Sequence, residues 1–211
     1  ITNFVDVGRF NIKPIDAFRK VIAPNGEKIL VHASNFRKVK RVNDVMYVFA
    51  NVRKVLPAKL LMVGDGPERH VCEELARELG IVDDVRFLGK QEQIEEILAV
   101  SDLFLLPSEY ESFGLAALEA MAAKNIVVST NAGGLPEINV QHVTGFMANV
   151  GDVAAMSDFA IEVLQDDVKL QTMKEAAYNH AKGFDIVNIV PLYEKLYSRF
   201  CRMEVPCIEG I

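Results

Sequence analysis

Glu111 and Glu119 stand with seven residues between them, and the joining stretch passes from Ser112-Phe113-Gly114 into the helix formers Leu115-Ala116-Ala117-Leu118. A helix starting at Gly114 leaves its first backbone N–H groups unpaired and turns its positive end outward, which favours an anion. Glu119, a little over one turn further, cannot itself hold a phosphate. It can accept hydrogen bonds from paired hydroxyls, as an acidic residue does with a ribose in dinucleotide sites. On spacing alone a plainer account is the better one: Glu111 caps the helix and Glu119 faces solvent.

A second candidate is Ser34-Asn35-Phe36-Arg37-Lys38-Val39-Lys40-Arg41, four cations in one loop of a chain whose net charge is −6. Such a loop suits a diphosphate, although a solvated basic loop is common on any surface. Gly64-Asp65-Gly66-Pro67-Glu68 lacks the spacing of a dinucleotide fingerprint and reads as a tight turn from strand to helix. In Asn131-Ala132-Gly133-Gly134-Leu135-Pro136-Glu137 the paired glycines permit close backbone approach, for a ligand or for the fold. His32, His70, His142 and His180 show no metal-ligand spacing. His32 reads as a core or strand-end histidine, and no histidine is assigned as a base.

Apolar runs alternate with amphipathic ones and must position these groups. Strands are expected at 28–33, 59–63, 85–88, 103–106, 126–130 and 145–148. Helices are expected at 42–55, 68–79, 93–100, 115–123, 153–165, 168–180 and 187–200. This rhythm predicts an α/β fold, a Rossmann-like parallel sheet with helices on both faces. Ligands of such sheets bind beyond the carboxyl ends of the strands. The loops 34–41, 64–67, 89–91, 107–114 and 131–137 all follow strands and are expected along one edge.

The 211 residues suffice for one large domain with a buried core. Half are hydrophobic and a quarter charged, the balance of a soluble globular protein. The acidic net charge argues against non-specific nucleic-acid binding. Three cysteines without a CxxC pair support neither a disulfide framework nor a zinc site, and favour a reducing, cytoplasmic setting. No apolar run approaches the roughly 20 residues of a membrane span. The first residue is Ile1, with no initiator Met, which suggests a piece of a longer protein. Residues 201–211 read as a tail.

The block from Glu111 to Glu119 is similar to the Glu-x7-Glu motif of family 4 glycosyltransferases, which have the two-domain GT-B architecture. The flanking Ser101-Asp102, Pro107-Ser108 and Ala120-Met121-Ala122 match as well. The resemblance covers about residues 2–200 and implies the C-terminal, donor-binding half of a retaining enzyme. Residues 1–10, with Thr2-Asn3-Phe4-Val5-Asp6 and Phe10, resemble the interdomain linker, 11–200 the nucleotide-sugar-binding domain. By resemblance Glu111 contacts the donor sugar and Glu119 the ribose. Amides around Ser112, Phe113, Gly114 and Leu115 take the distal phosphate, and Gly89-Lys90-Gln91 forms the base-binding loop.

Lys40 matches the family's phosphate lysine. Asn35 stands where an arginine is usual, and Arg37 supplies the cation from two residues on. Asn35 to Arg41, Val63 to Glu68 and Phe87 to Gln91 resemble one branch of the family, which moves GlcNAc from UDP-GlcNAc to L-malate in bacillithiol biosynthesis. Arg37 would then also suit a malate carboxylate. No metal or other cofactor is implied, since fixed cations meet the diphosphate and no Asp-x-Asp pair is present. The implied partners are a sugar nucleotide and an N-terminal acceptor domain, with oligomeric state, including a homo-oligomer, left open. Rival readings are a GT-B sugar-nucleotide epimerase, a glycogen-phosphorylase-like protein, and a non-catalytic nucleotide-binding module.

Overall fold

The computed structural model describes residues 1–201. Six apolar runs form strands: β1 (Lys28–Ser34), β2 (Ala58–Gly64), β3 (Val85–Gly89), β4 (Leu103–Leu106), β5 (Ile126–Thr130) and β6 (Gly145–Ala148). They make one sheet in the order β3-β2-β1-β4-β5-β6, with every neighbouring pair parallel. The helices are α1 (Val7–Phe10), α2 (Asp16–Ile22), α3 (Val42–Val55), α4 (Arg69–Glu78), α5 (Ile94–Val100), α6 (Leu115–Ala122), α7 (Leu135–Ile138), α8 (Val153–Leu164), α9 (Asp167–Ala181) and α10 (Ile186–Cys201). The expected tail falls, from residue 202 onward, outside the described residues.

Strand side chains alternate between two cores, as a two-residue period requires. Leu30, Leu60, Met62, Leu103, Leu105 and Val128 meet the buried faces of α3 and α8. Ile29, Val31, Leu61, Val63, Phe104 and Val127 meet α5 and α6 on the other side. Both faces of the sheet are therefore covered over its central strands, while the edge strand β3 keeps Arg86 exposed. Among the described residues no helix is long and apolar enough to cross a membrane.

Residues 1–10 pack into this body. Val5 exchanges backbone bonds with the start of α10, from its N–H to Phe184 O at 3.0 Å and from Ile186 N–H to its carbonyl at 2.8 Å. Val5, Val7 and Phe10 are buried with α5 and α6. At the amino edge of the sheet, Asp102 caps Ile29 N–H at 2.9 Å and meets Arg19 at 3.0 Å and Lys174 at 2.8 Å. Burial pushes its carboxyl up, but the Lys174 and Arg19 charges outweigh this and hold it below the usual range.

What positions the site is the junction of β1 and β4. The chain runs outward from β1 to β2 and β3, then returns to place β4 on the other side of β1, so the strand order reverses there. β1 and β4 pair only at Leu30↔Leu103 and Val31↔Phe104, although β1 continues to Ser34 and β4 to Leu106. Beyond Val31 and Phe104 the two strands part, and a cleft opens between the loops that follow them.

Candidate functional site

The cleft has a volume of about 350 Å³ and is lined from one side by Ser34, Asn35 and Lys40, from the other by Glu111 through Ala116. The loop after β1 ends in a 3-10 turn at Lys38–Lys40, and Arg41 enters α3 with φ +47°. Two contacts join the loops. Glu109 N–H donates to Val39 O at 2.8 Å, and Lys40 Nζ lies 2.6 Å from Glu111 Oε1.

Glu111 does not cap α6. The N-cap is Gly114, at φ +93°, and no side chain bonds to the first turn. Its early N–H groups thus remain available to an anion. The Glu111 carboxylate instead accepts from Lys40 and, at 2.8 Å, from Ser108 Oγ, both at Oε1. That leaves Oε2 without a protein partner among the described residues. Ser108 is wholly buried, and its carbonyl accepts from Thr130 Oγ1 at 2.6 Å, so the ends of β4 and β5 fix the carboxylate together.

The paired glycines support this wall from behind. Gly134 N–H donates to Glu111 O at 2.8 Å, and Gly133 adopts φ +61°. A Cβ on Gly133 would sit 1.9 Å from Glu111 O, closer than any real contact. Gly64 does the same under the other wall, where a Cβ would fall 1.8 Å from Ser34 O. Both glycine-containing turns thus let a neighbouring backbone approach that carries a cleft residue.

Of the residues singled out from the sequence, Asn35, Lys40, Glu111, Ser112, Phe113, Gly114 and Leu115 line the cleft together. Arg37 belongs to the same loop but is exposed, outside the lining and without an ion pair among the described residues. Gly89 ends β3, at the far edge of the sheet, with Lys90 and Gln91 just after it, and all three are also outside the lining. Glu119 points elsewhere, into a half-buried position where the charges of Arg9 and Glu95 act on it. Burial raises its carboxyl pKa and Arg9 offsets part of the rise. Arg9 itself bonds Glu95 at 3.1 Å and Glu92 O at 3.4 Å, linking α1 to the segment that follows Gln91.

Sequence reasoning passed over two participants. Asn3 lines the cleft although it lies in the segment read as linker. Ser108 was noted only as part of a matching string. His32, read as a core or strand-end histidine, is wholly buried; burial above all, with the Lys40 charge, lowers its pKa to about 4 against the opposing Leu105 carbonyl and Glu111.

The sheet order and the cleft at its switch point are those of a Rossmann-like α/β domain. The chain belongs to the group 1 glycosyl transferases, whose family model matches residues 15–180. It is 43% identical over 199 residues to N-acetyl-alpha-D-glucosaminyl L-malate synthase from Bacillus anthracis, covering 93% of this chain and 52% of that protein. It is 32% identical over 192 residues to D-inositol 3-phosphate glycosyltransferase from Corynebacterium urealyticum, covering 86% and 45%. The chain therefore spans about half the length of these curated relatives. A solved structure of Anabaena Alr3699/HepE in complex with UDP and glucose superposes with TM-score 0.83 at 25% identity, over 92% of this chain and 55% of that one. Sucrose-phosphate synthase from Thermosynechococcus elongatus shares the fold, with TM-score 0.83 at 23% identity over 94% and 51%.

Proposed function

We propose that this chain supplies the sugar-nucleotide wall of a retaining glycosyltransferase that moves GlcNAc from UDP-GlcNAc to L-malate. The observation that carries the reading is the meeting of Lys40 and Glu111 beside the uncapped start of α6, at the switch point of the sheet. Departure of a nucleoside diphosphate develops negative charge on its distal phosphate. Lys40 and the amides from Phe113 to Leu115 are fixed donors that stabilise that charge, which is worth most where water is excluded. Glu111 Oε2, without a protein partner among the described residues, accepts from sugar hydroxyls. Fixed cations take the place of a metal, so activity should survive chelation by EDTA.

Glu119 is assigned to the ribose and residues 89–91 to the base. Arg37, exposed and without an ion pair among the described residues, is assigned to the diphosphate or to the acceptor carboxylate. The acceptor wall comes from a second domain whose closure excludes water, with residues 1–10 as its connection. On this reading the 211-residue chain binds UDP weakly and transfers no sugar by itself. The identity to the malate synthase supports malate as acceptor, and the similarity to the inositol-phosphate enzyme supports a second reading.

The test is an assay of the full-length enzyme with UDP-GlcNAc and either L-malate or D-inositol 3-phosphate. UDP release that depends on malate, with an α-linked product by NMR, supports the assignment. Release only with the inositol phosphate transfers it to the second reading, and a 2-epimerised nucleotide sugar refutes transfer.

A further inference from the structure

His32 lies where β1 and β4 separate. The last paired residues of the two strands are Val31 and Phe104; the next position on each is His32 and Leu105. Backbone pairing has stopped there, yet His32 Nδ1 stands 2.8 Å from Leu105 O. A side chain thus takes over where the ladder ends. Its ring is wholly buried, with Phe36 and Phe104 at centroid distances of 5.9 and 6.5 Å.

The hydrogen-bond chain has only one consistent direction for a neutral ring. A carbonyl oxygen can only accept, so Nδ1 carries the proton and Nε2 is bare. Ser34 Oγ, 2.8 Å from Nε2, must then donate to it. The same Oγ accepts from Phe36 N–H at 3.2 Å, and Phe36 holds the uncommon φ of +38°. The relay runs from Phe36 N–H through Ser34 and His32 to Leu105 O, joining the strand ends that carry Lys40 and Glu111.

We propose that His32 is a positioning residue of the sugar-nucleotide site: as the neutral Nδ1–H tautomer it splices the carboxyl ends of β1 and β4 and orients the Ser34 hydroxyl in the cleft. A consequence for specificity follows. With its proton committed to His32, Ser34 offers the cleft only a lone pair. It therefore takes a hydroxyl or N–H of the ligand and repels a bare phosphate oxygen, leaving the phosphates to Lys40 and the α6 amides. This rests on the donor-site reading above, and its test separates the two.

The experiment uses the full-length protein, with UDP as the probe. Nitrogen-15 NMR of the His32 ring should show the Nδ1–H tautomer at pH 7, with or without UDP. Calorimetry should show His32→Asn and Ser34→Ala each weakening UDP by about 5–10-fold, the double variant being no weaker than the worse single one. Ser34→Ala removes one oxygen at the cleft, so it reports even if the buried substitution fails to fold. An Nε2–H tautomer, UDP affinity unchanged in Ser34→Ala, or independent effects that multiply in the double variant would overturn the proposal. If wild type fails to bind UDP, the donor-site reading falls, and the ring tautomer still decides whether His32 splices the strands.

Discussion

Lys40 Nζ and Glu111 Oε1 meet at 2.6 Å across the gap between the loops after β1 and β4. Both side chains are largely shielded, at 20% and 13% exposure, so the pair is more than a surface contact. In the proposed function Lys40 meets the phosphate and Glu111 a sugar hydroxyl, so the pair would stand between the two halves of the donor.

The two members should fail differently. In the full-length enzyme, Glu111→Gln keeps the shape and the bond from Ser108 but removes the charge that meets the sugar. Turnover should drop by about 100-fold while UDP affinity changes less than about threefold. Steady-state kinetics beside UDP calorimetry checks this split.

Glu119→Gln should move stability and binding in opposite directions. Burial raises the Glu119 carboxyl pKa above its unfolded value, so at neutral pH the folded state carries a penalised charge. That penalty disappears as pH falls through the folded pKa, or when the charge is deleted. The variant should therefore melt roughly 1–3 °C higher at pH 7, yet bind UDP less tightly if Glu119 serves the ribose. Scanning calorimetry and UDP titration together decide it.

Gly133→Ala touches neither ligand nor charge. The added methyl would meet Glu111 O at 1.9 Å and would strain a residue at φ +61°. Because the obstacle is backbone, the turn carrying Glu111 has to move. Loss of about 1–3 kcal/mol by urea unfolding is expected, with turnover falling further than folding alone explains. Gly26→Ala, a positive-φ glycine with open space around it, is the control for backbone strain.

His32 gives a pH signature. Its folded pKa of about 4 lies below the unfolded value of 6.5, so the native state resists protonation that the unfolded chain accepts. Stability from this group is full above about pH 6.5 and is lost as pH falls toward 4, by on the order of 3 kcal/mol. Difference measurements between wild type and His32→Asn isolate it, since the variant lacks this proton uptake. A difference that stays constant across that window would contradict the assignment.

Much of the fold was legible in the sequence because its signals are local. Val42–Val55 carries helical periodicity and forms α3 with those bounds, and β4, β5 and β6 have the expected bounds as well. The short helices α1, α2 and α7 were not expected. α1 and α7 are four residues each, too short for periodicity to register, and their burial comes from tertiary packing. Gly114 in the cleft lining followed from a helix start after a strand, whereas Ser112, Phe113 and Leu115 came from the family resemblance.

What the sequence concealed were relations between distant segments. Spacing suggested that Glu111 caps α6, but nothing local reveals that Lys40, 71 residues away, and Ser108 hold its carboxylate. Glu119 is neither solvent-facing nor in the cleft with Glu111, because α1 covers its side of α6 and brings Arg9 near. The service of Gly133 to Glu111 O is likewise invisible until β4 and β5 are placed side by side. His32 could be read as a strand-end histidine, and its partner Leu105 appears only once the strand order is known.

The central claim is that the cleft between the β1 and β4 loops holds a sugar nucleotide through Lys40. Calorimetric titration of UDP into wild type and Lys40→Met, at fixed ionic strength, tests it most directly. The account predicts saturable binding by wild type and at least about tenfold weaker binding by the variant, with the melting midpoint showing that it is folded. Equal affinity in a folded Lys40→Met protein, or no binding of UDP by wild type, would contradict it.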